Sequence, residues 1–140
     1  MKKIATYVLV FACFSTLAVL VSNAQTVGLR VDIPFNFNVA ERALPAGQYL
    51  ILAPQGGTLR ITGPNGAAAL TMTNEISGRY PLAGPGAVVF NCYGKRCFLA
   101  QFWTARTQFG QEIGKCRLEK ELAREREQVA SITLKGSLVQ

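Results

Sequence analysis

The sequence contains no histidine. That absence removes the commonest general base and the commonest metal ligand, and with them the Ser-His-Asp and Cys-His nucleophile pairs. Acid is scarce too, with 8 Asp and Glu against 15 Lys and Arg. Beyond Asp32, Glu41 and Glu75, every carboxylate falls between Glu112 and Glu127. No two of them have a spacing that would set them across a cleft, as glycoside hydrolysis needs. Neither GxGxxG nor GxxxxGK[ST] occurs, so the glycines belong to turns and not to a phosphate cradle. There is no Cys-x-x-Cys, and the three cysteines beyond residue 24, without histidine, make a poor zinc set. The sequence therefore argues against an enzyme and implies no cofactor and no metal. It has no internal repeat and no low-complexity tract.

What is present begins with an export signal. Lys2 and Lys3 precede an uncharged run from Ile4 to Val21, and Ser22-Asn23-Ala24 follows with small residues where a signal peptidase reads. We read residues 1–24 as a signal peptide and residues 25–140 as a single β-rich domain, a common size for one core. An uncleaved anchor helix is the competing reading, since a span needs roughly 20 apolar residues. Thr6, Ser15, Thr16 and the cleavage pattern favour the signal. Lipidation at Cys13 is a poor fit, because this cysteine lies inside the run with Phe11 two places before it. The expected location is periplasmic or extracellular, with membrane contact only through the leader before cleavage. Removing Lys2 and Lys3 lowers the net charge from +7 to +5. An envelope component or an anionic polymer is a partner that this charge would suit, but the basic residues are scattered, as they are on surfaces that simply keep a protein soluble, and nothing singles out nucleic acid.

The strongest local signal is Val27 to Val39, VGLRVDIPFNFNV, where apolar residues hold the odd positions and Arg30, Asp32, Asn36 and Asn38 the even ones. A period of two gives one dry face and one wet face. Thirteen residues would extend about 43 Å, too long for one straight strand, and Pro34 cannot donate to a ladder. The stretch is therefore expected to bend at Pro34 and serve two walls of the core. Ala40 to Gly47 reads as a loop. QYLILA (48–53), TLRIT (58–62) and AAALTMT (67–73) read as three strands separated by PQGG and GPNG. If both turns are two-residue hairpins, Leu50 falls opposite Ile61, Leu52 opposite Leu59, Leu59 opposite Leu70 and Ile61 opposite Ala68, with all of these on one face. Asn74 to Gly86, rich in Gly and Pro, reads as a long loop with Arg79 and Tyr80 at its tip. Such a loop serves either as a binding lid or as a plain crossover.

Ala87 to Trp103 forms two apolar runs around Gly94-Lys95. Gly at the first centre suits a type II′ turn and sets Cys92 opposite Cys97, a non-hydrogen-bonded pair with Cα atoms about 4.5 Å apart. A cross-strand disulfide between Cys92 and Cys97 follows, in keeping with an oxidising compartment. Cys116 is left over, either half-buried and inert or joined to another chain. Lys115 to Gln128 predicts a short amphipathic helix with Leu118 and Leu122 on its stripe. Val129 to Val139 is a closing strand in which Gly136 marks a bulge. The aromatic residues are expected mostly in the core, with Trp103 at a strand end and Phe109 in a loop the better candidates for an exposed binding surface.

The run VDIPFNFNVAERALPAGQYLIL, the later FLAQFW and the helix LEKELARERE with its terminal strand resemble a group of small exported proteins common in Acidobacteria-like soil bacteria. The resemblance covers most of residues 25–140 and carries no activity with it. The cysteines around YGKR are outside that pattern, so their pairing rests on the hairpin argument. The whole reads as a mainly β domain, an antiparallel sandwich or partly closed barrel of about seven or eight strands, with one C-terminal amphipathic helix before a final strand. The function it suggests is a non-enzymatic binding or structural module of the envelope or periplasm. The alternative is a carrier holding an apolar ligand in a cavity between the sheets.

Overall fold

The computed structural model describes residues 26–54, 57–79, 84–104, 108–125 and 129–139. The leader, Tyr80 and residues 126–128 of the expected helix lie outside them. Ten strands and one helix follow in chain order: β1 (Val27–Ile33), β2 (Phe37–Val39), β3 (Arg42–Leu44), β4 (Gly47–Ala53), β5 (Thr58–Thr62), β6 (Ala68–Ser77), β7 (Gly86–Tyr93), β8 (Arg96–Thr104), β9 (Phe109–Ile113), α1 (Arg117–Glu125) and β10 (Ala130–Val139). The strand order β8-β7-β10-β1-β4-β5-β6-β9 returns to β8 through the β8–β9 pairing, which closes an eight-stranded antiparallel barrel. β2 and β3 are extra, and β2 runs parallel to the start of β8. No helix among the described residues is long and apolar enough to cross a membrane.

The opening stretch bends as its length requires. β1 lies between β10 and β4, the chain breaks at Pro34, and β2 resumes against β3 and β8. One sequence segment thus lines two walls. Its dry face supplies Leu29, Val31, Ile33, Phe37 and Val39, all buried. Phe35 packs edge-on against Phe90 at 5.2 Å, and Phe37 against Tyr49 and Phe90 at 5.1 and 5.4 Å. The Tyr49 hydroxyl donates to the Pro45 carbonyl at 2.7 Å, so this large side chain is buried without an orphan polar atom.

The meander differs from expectation by one residue at each turn. Leu50 pairs with Thr62, Ile51 with Ile61 and Leu52 with Arg60, while Leu59 pairs with Thr71 and Arg60 with Leu70. The β5–β6 turn holds three residues, not two. Pro64, Asn65 and Gly66 form it, with Asn65 and Gly66 at φ +53° and +75°, and Gly63 N–H donates to the Ala67 carbonyl at 2.7 Å. An odd loop shifts the facing residues by one and turns the strand over. Tyr49 and Ile51 therefore point inward in place of Leu50 and Leu52, and Leu70 points outward, where it is 70% exposed.

β7 and β8 keep the predicted register at their tip, Tyr93 opposite Arg96 and Cys92 opposite Cys97, with Gly94 at φ +65° as a II′ turn needs. The disulfide is formed, with S–S 2.02 Å and Cα atoms 4.0 Å apart. A bulge between Val89 and Phe90 then takes up Ala100. Beyond it Phe102 joins the core and Trp103 turns to the outside. Gly136 is not a bulge. It pairs in register with Gly86, and both lack a Cβ because the Leu29 side chain lies over them.

Two strands were not legible as strands. Arg42–Leu44 sits inside the expected loop, and Phe109–Ile113 pairs with Thr73–Ser77, so β6 runs four residues past its expected end. The helix also sits differently from its leucine stripe. Glu119 is its buried residue, while Leu118 is 37% exposed.

Candidate functional site

The barrel has two unlike ends. At one end β4, β6 and β8 finish and β9 begins, and Ala53, Glu75, Phe102, Thr104, Phe109, Gly110 and Gln111 line an opening of about 180 Å³. Register explains the lining. Glu75 faces Gln111 and Ser77 faces Phe109 across β6–β9, and Phe102 faces Gln111 across β8–β9. All continue inward-pointing rows past the last apolar layer. Phe102 is buried as the floor, and Phe109 is 51% exposed at the rim. The Thr73 hydroxyl donates to Gln111 Oε1 at 3.0 Å, which leaves the amide N–H groups of Gln111 as its offered donors. No described cation pairs with Glu75. The opening thus combines an aromatic face, a carboxylate and a carboxamide.

At the other end a shallower groove of about 310 Å³ is lined by Asn36, Phe37, Asn38, Ala43, Leu44, Pro45, Lys95 and Arg96. The disulfide-clamped turn sets the two cations, and neither ion-pairs with a described residue. Asn36 Oδ1 accepts from the Ala46 N–H at 3.0 Å, which ties the Pro34 corner to the chain entering β4.

Outside the barrel wall at this end, the Tyr93 hydroxyl donates to Glu119 at 3.2 Å in a buried setting. Burial, then the Glu119 charge and this hydrogen bond, push the Tyr93 phenol up to about 12. Burial also raises Tyr49. Cys116 opens α1. Its carbonyl accepts from Lys120 N–H at 3.0 Å, and its Sγ accepts from Glu119 N–H at 3.5 Å. Cys116 is a half-buried, free helix cap.

Of the residues expected at a binding surface, Phe109 lies on the rim, on a strand and not in a loop. Arg79 is exposed just beyond β6 at the same end, and Tyr80 is outside the described residues. Trp103 is a correction, being only 5% exposed. The Ala100 bulge turns it outward, its indole lies across Gly110 where a Cβ would come within 2.6 Å, and its Nε1–H donates to Gln101 Oε1 at 2.9 Å. It seals the wall beside the mouth. Glu75, Gln111 and Thr104 were not singled out from sequence, because their roles depend on β9, whose apolar signal is only Phe109 and Ile113. Comparison with known protein families, with curated proteins and with solved structures finds no match.

Proposed function

We propose that the protein is an exported, non-enzymatic module of the cell envelope or periplasm that binds a partner at the mouth of its barrel. The observation that carries this reading is the mouth itself, where half-exposed Phe109 stands beside Glu75 and Gln111 above buried Phe102. An opening of about 180 Å³ is below the roughly 300–1,000 Å³ of sites that engulf a small molecule. It suits the edge or end of something larger. An aromatic face with a carboxylate and a carboxamide matches a hydroxyl-rich ring, stacked on one side and hydrogen-bonded at its rim, as an envelope glycan would present. The Cys92–Cys97 disulfide suits an oxidising compartment, in line with the leader. The carrier alternative draws no support from the interior, whose space goes to Phe37, Tyr49 and Phe90. An anionic polymer would meet the Lys95–Arg96 groove instead.

The test is cosedimentation of the exported protein with purified sacculi and outer-membrane fractions of its host. Phe109→Ala and Glu75→Gln should each weaken retention about tenfold, the loss of one stacking or charged contact. Retention unchanged by both variants would move the site away from the mouth. Soluble fragments released from the sacculi would overturn the non-enzymatic reading.

A further inference from the structure

One flank of the barrel is apolar on the side that faces water. Alternation along β4, β5 and β6 sends Tyr49, Ile51, Leu59, Ile61 and Ala69 into the core, so the residues between them point out. Register sets those outward residues in rows across four strands. Gly28 pairs with Leu52, Leu52 with Arg60 and Arg60 with Leu70, while Arg30 pairs with Leu50, Leu50 with Thr62 and Thr62 with Ala68. Met72, opposite Thr58, opens a third row. Leu70 and Met72 are 70% and 79% exposed, the most open large hydrophobics among the described residues. The two leucines of β4 lie over Gly28, where a Cβ would come within 2.8 Å of Leu52 and 3.6 Å of Leu50, and so carry the aliphatic surface onto β1. The solvated face of an antiparallel sheet is ordinarily polar. Aliphatic side chains gathered on such a face mark a contact site.

We propose that this flank docks on the surface of an anionic lipid bilayer. Charge complementarity names the partner. The charged residues within the rows are both arginines, Arg30 and Arg60, each exposed and without an ion pair to a described residue. Acids come only at the ends of the patch, with Asp32 one outward position beyond Arg30 and Glu112 opposite Asn74, one outward position beyond Met72. Arg60 stands between Leu52 and Leu70, with an apolar carbon stem and a charged head that can reach past them. Aliphatic tips among arginines suit a membrane interface, where the tips enter between head groups and the guanidinium groups hydrogen-bond lipid phosphates. The rows hold no Trp or Tyr, the anchors that protein interfaces favour. Four strands make a face about 14 Å across, held stiff by the main-chain ladder. Contact through this flank sets the barrel side-on to the bilayer, apart from the mouth and independent of the leader.

The test is flotation of the protein recovered from an exporting host with vesicles of phosphatidylcholine and phosphatidylglycerol in equal parts, beside vesicles of phosphatidylcholine alone. The protein should float with the anionic vesicles only, and added salt should weaken the contact. Leu70→Ser combined with Met72→Ser should lower vesicle affinity about tenfold or more, and Arg30→Gln combined with Arg60→Gln should do the same, at roughly fivefold for each arginine. Lys95→Gln combined with Arg96→Gln removes equal charge from the groove at the corner end and should cost less than about twofold. All six side chains are exposed, so the Tm of each variant should match the wild type. Absence of flotation, equal flotation with the neutral vesicles, or binding that survives the Leu70 and Met72 changes would each overturn the proposal. So would an equal loss in the two charge variants, which would reduce the contact to diffuse net charge. A wild type that ignores vesicles but self-associates, and ceases to in the Leu70 and Met72 variant, would overturn it in favour of a second copy.

Discussion

The two ends of the barrel are built to opposite specifications. At the corner end the chain is fixed by several independent means: the bend at Pro34, the Phe35–Phe37–Tyr49–Phe90 cluster, the Cys92–Cys97 bond and the Tyr93–Glu119 hydrogen bond. At the mouth, inward rows end in Glu75, Thr104 and Gln111, with Phe109 half in solvent. The difference teaches where this fold keeps its stability and where it leaves chemistry exposed. Rigidity gathers at one end, which frees the other to carry polar and aromatic groups that the core does not need.

The largest blow to that contrast should come from Phe90→Ala. Phe90 is fully buried and touches two other rings, and truncating such a residue costs about 3–5 kcal/mol through lost transfer energy and a cavity. A loss of that size in the unfolding free energy from urea melts is expected, and a loss below about 1 kcal/mol would show the corner is not the anchor described. Next comes the Cys92→Ala, Cys97→Ala double variant. The bond closes so short a loop that its chain-entropy worth is only about 2 kcal/mol, and the strand register should survive its loss because the flanking pairs are apolar and buried. Amide exchange rising at the hairpin tip, with Val88–Phe102 still protected, would match.

Two fixtures of the corner end, the bend and the disulfide, are legible in the sequence. Proline on the wet face of an overlong alternating run dictates a bend, and Gly-Lys between cysteines dictates the turn that pairs them. Both are local chemistry. The mouth was hidden because it depends on partners. FGQEI has too weak an alternation to announce a strand, and it becomes β9 only because Thr73–Ser77 and Gln101–Trp103 flank it on both sides. QYLILA is apolar on both faces, so the register of β4 hung on whether the turn after it held two residues or three, and PQGG alone does not say. The Ala100 bulge, which decides that Phe102 faces in and Trp103 out, has no sequence signature. Glu119 was hidden by its type, since a charged residue on a helix is expected in water, and the Tyr93 hydroxyl beneath it gives the buried side chain a donor.

That pair gives the next prediction, smaller than the disulfide and recognisable by pH. A phenol raised in the folded state from its ordinary value near 10 to about 12 favours folding while it is protonated. The contribution is complete below pH 10 and fades as pH climbs towards 12. Tyr93→Phe should cost on the order of 1–2 kcal/mol at pH 8 by leaving the buried Glu119 carboxylate without its donor. The gap between wild type and variant should narrow by on the order of 1 kcal/mol at pH 11. Urea melts of both proteins at the two pH values measure it, and a gap that does not change would mean the hydroxyl is not the titrating pin. Tyr49 rises in the same direction but is common to both proteins and drops out of the difference.

Phe109→Ala should have the smallest effect on stability and the largest on binding, and this separation is what the contrast between the ends comes to. Phe109 keeps half its surface in water, so truncation gives up little transfer energy, about 1 kcal/mol or less. β9 holds its place through main-chain pairing on both edges and through buried Ile113, none of which involves the ring. If Phe109→Ala instead lowered stability as Phe90→Ala does, the ring would belong to the core, the mouth would be only the frayed end of a packed barrel, and the retention assay would be reporting misfolding. A near-wild-type melt with lost retention on sacculi would show that the exposed aromatic is held there for a partner.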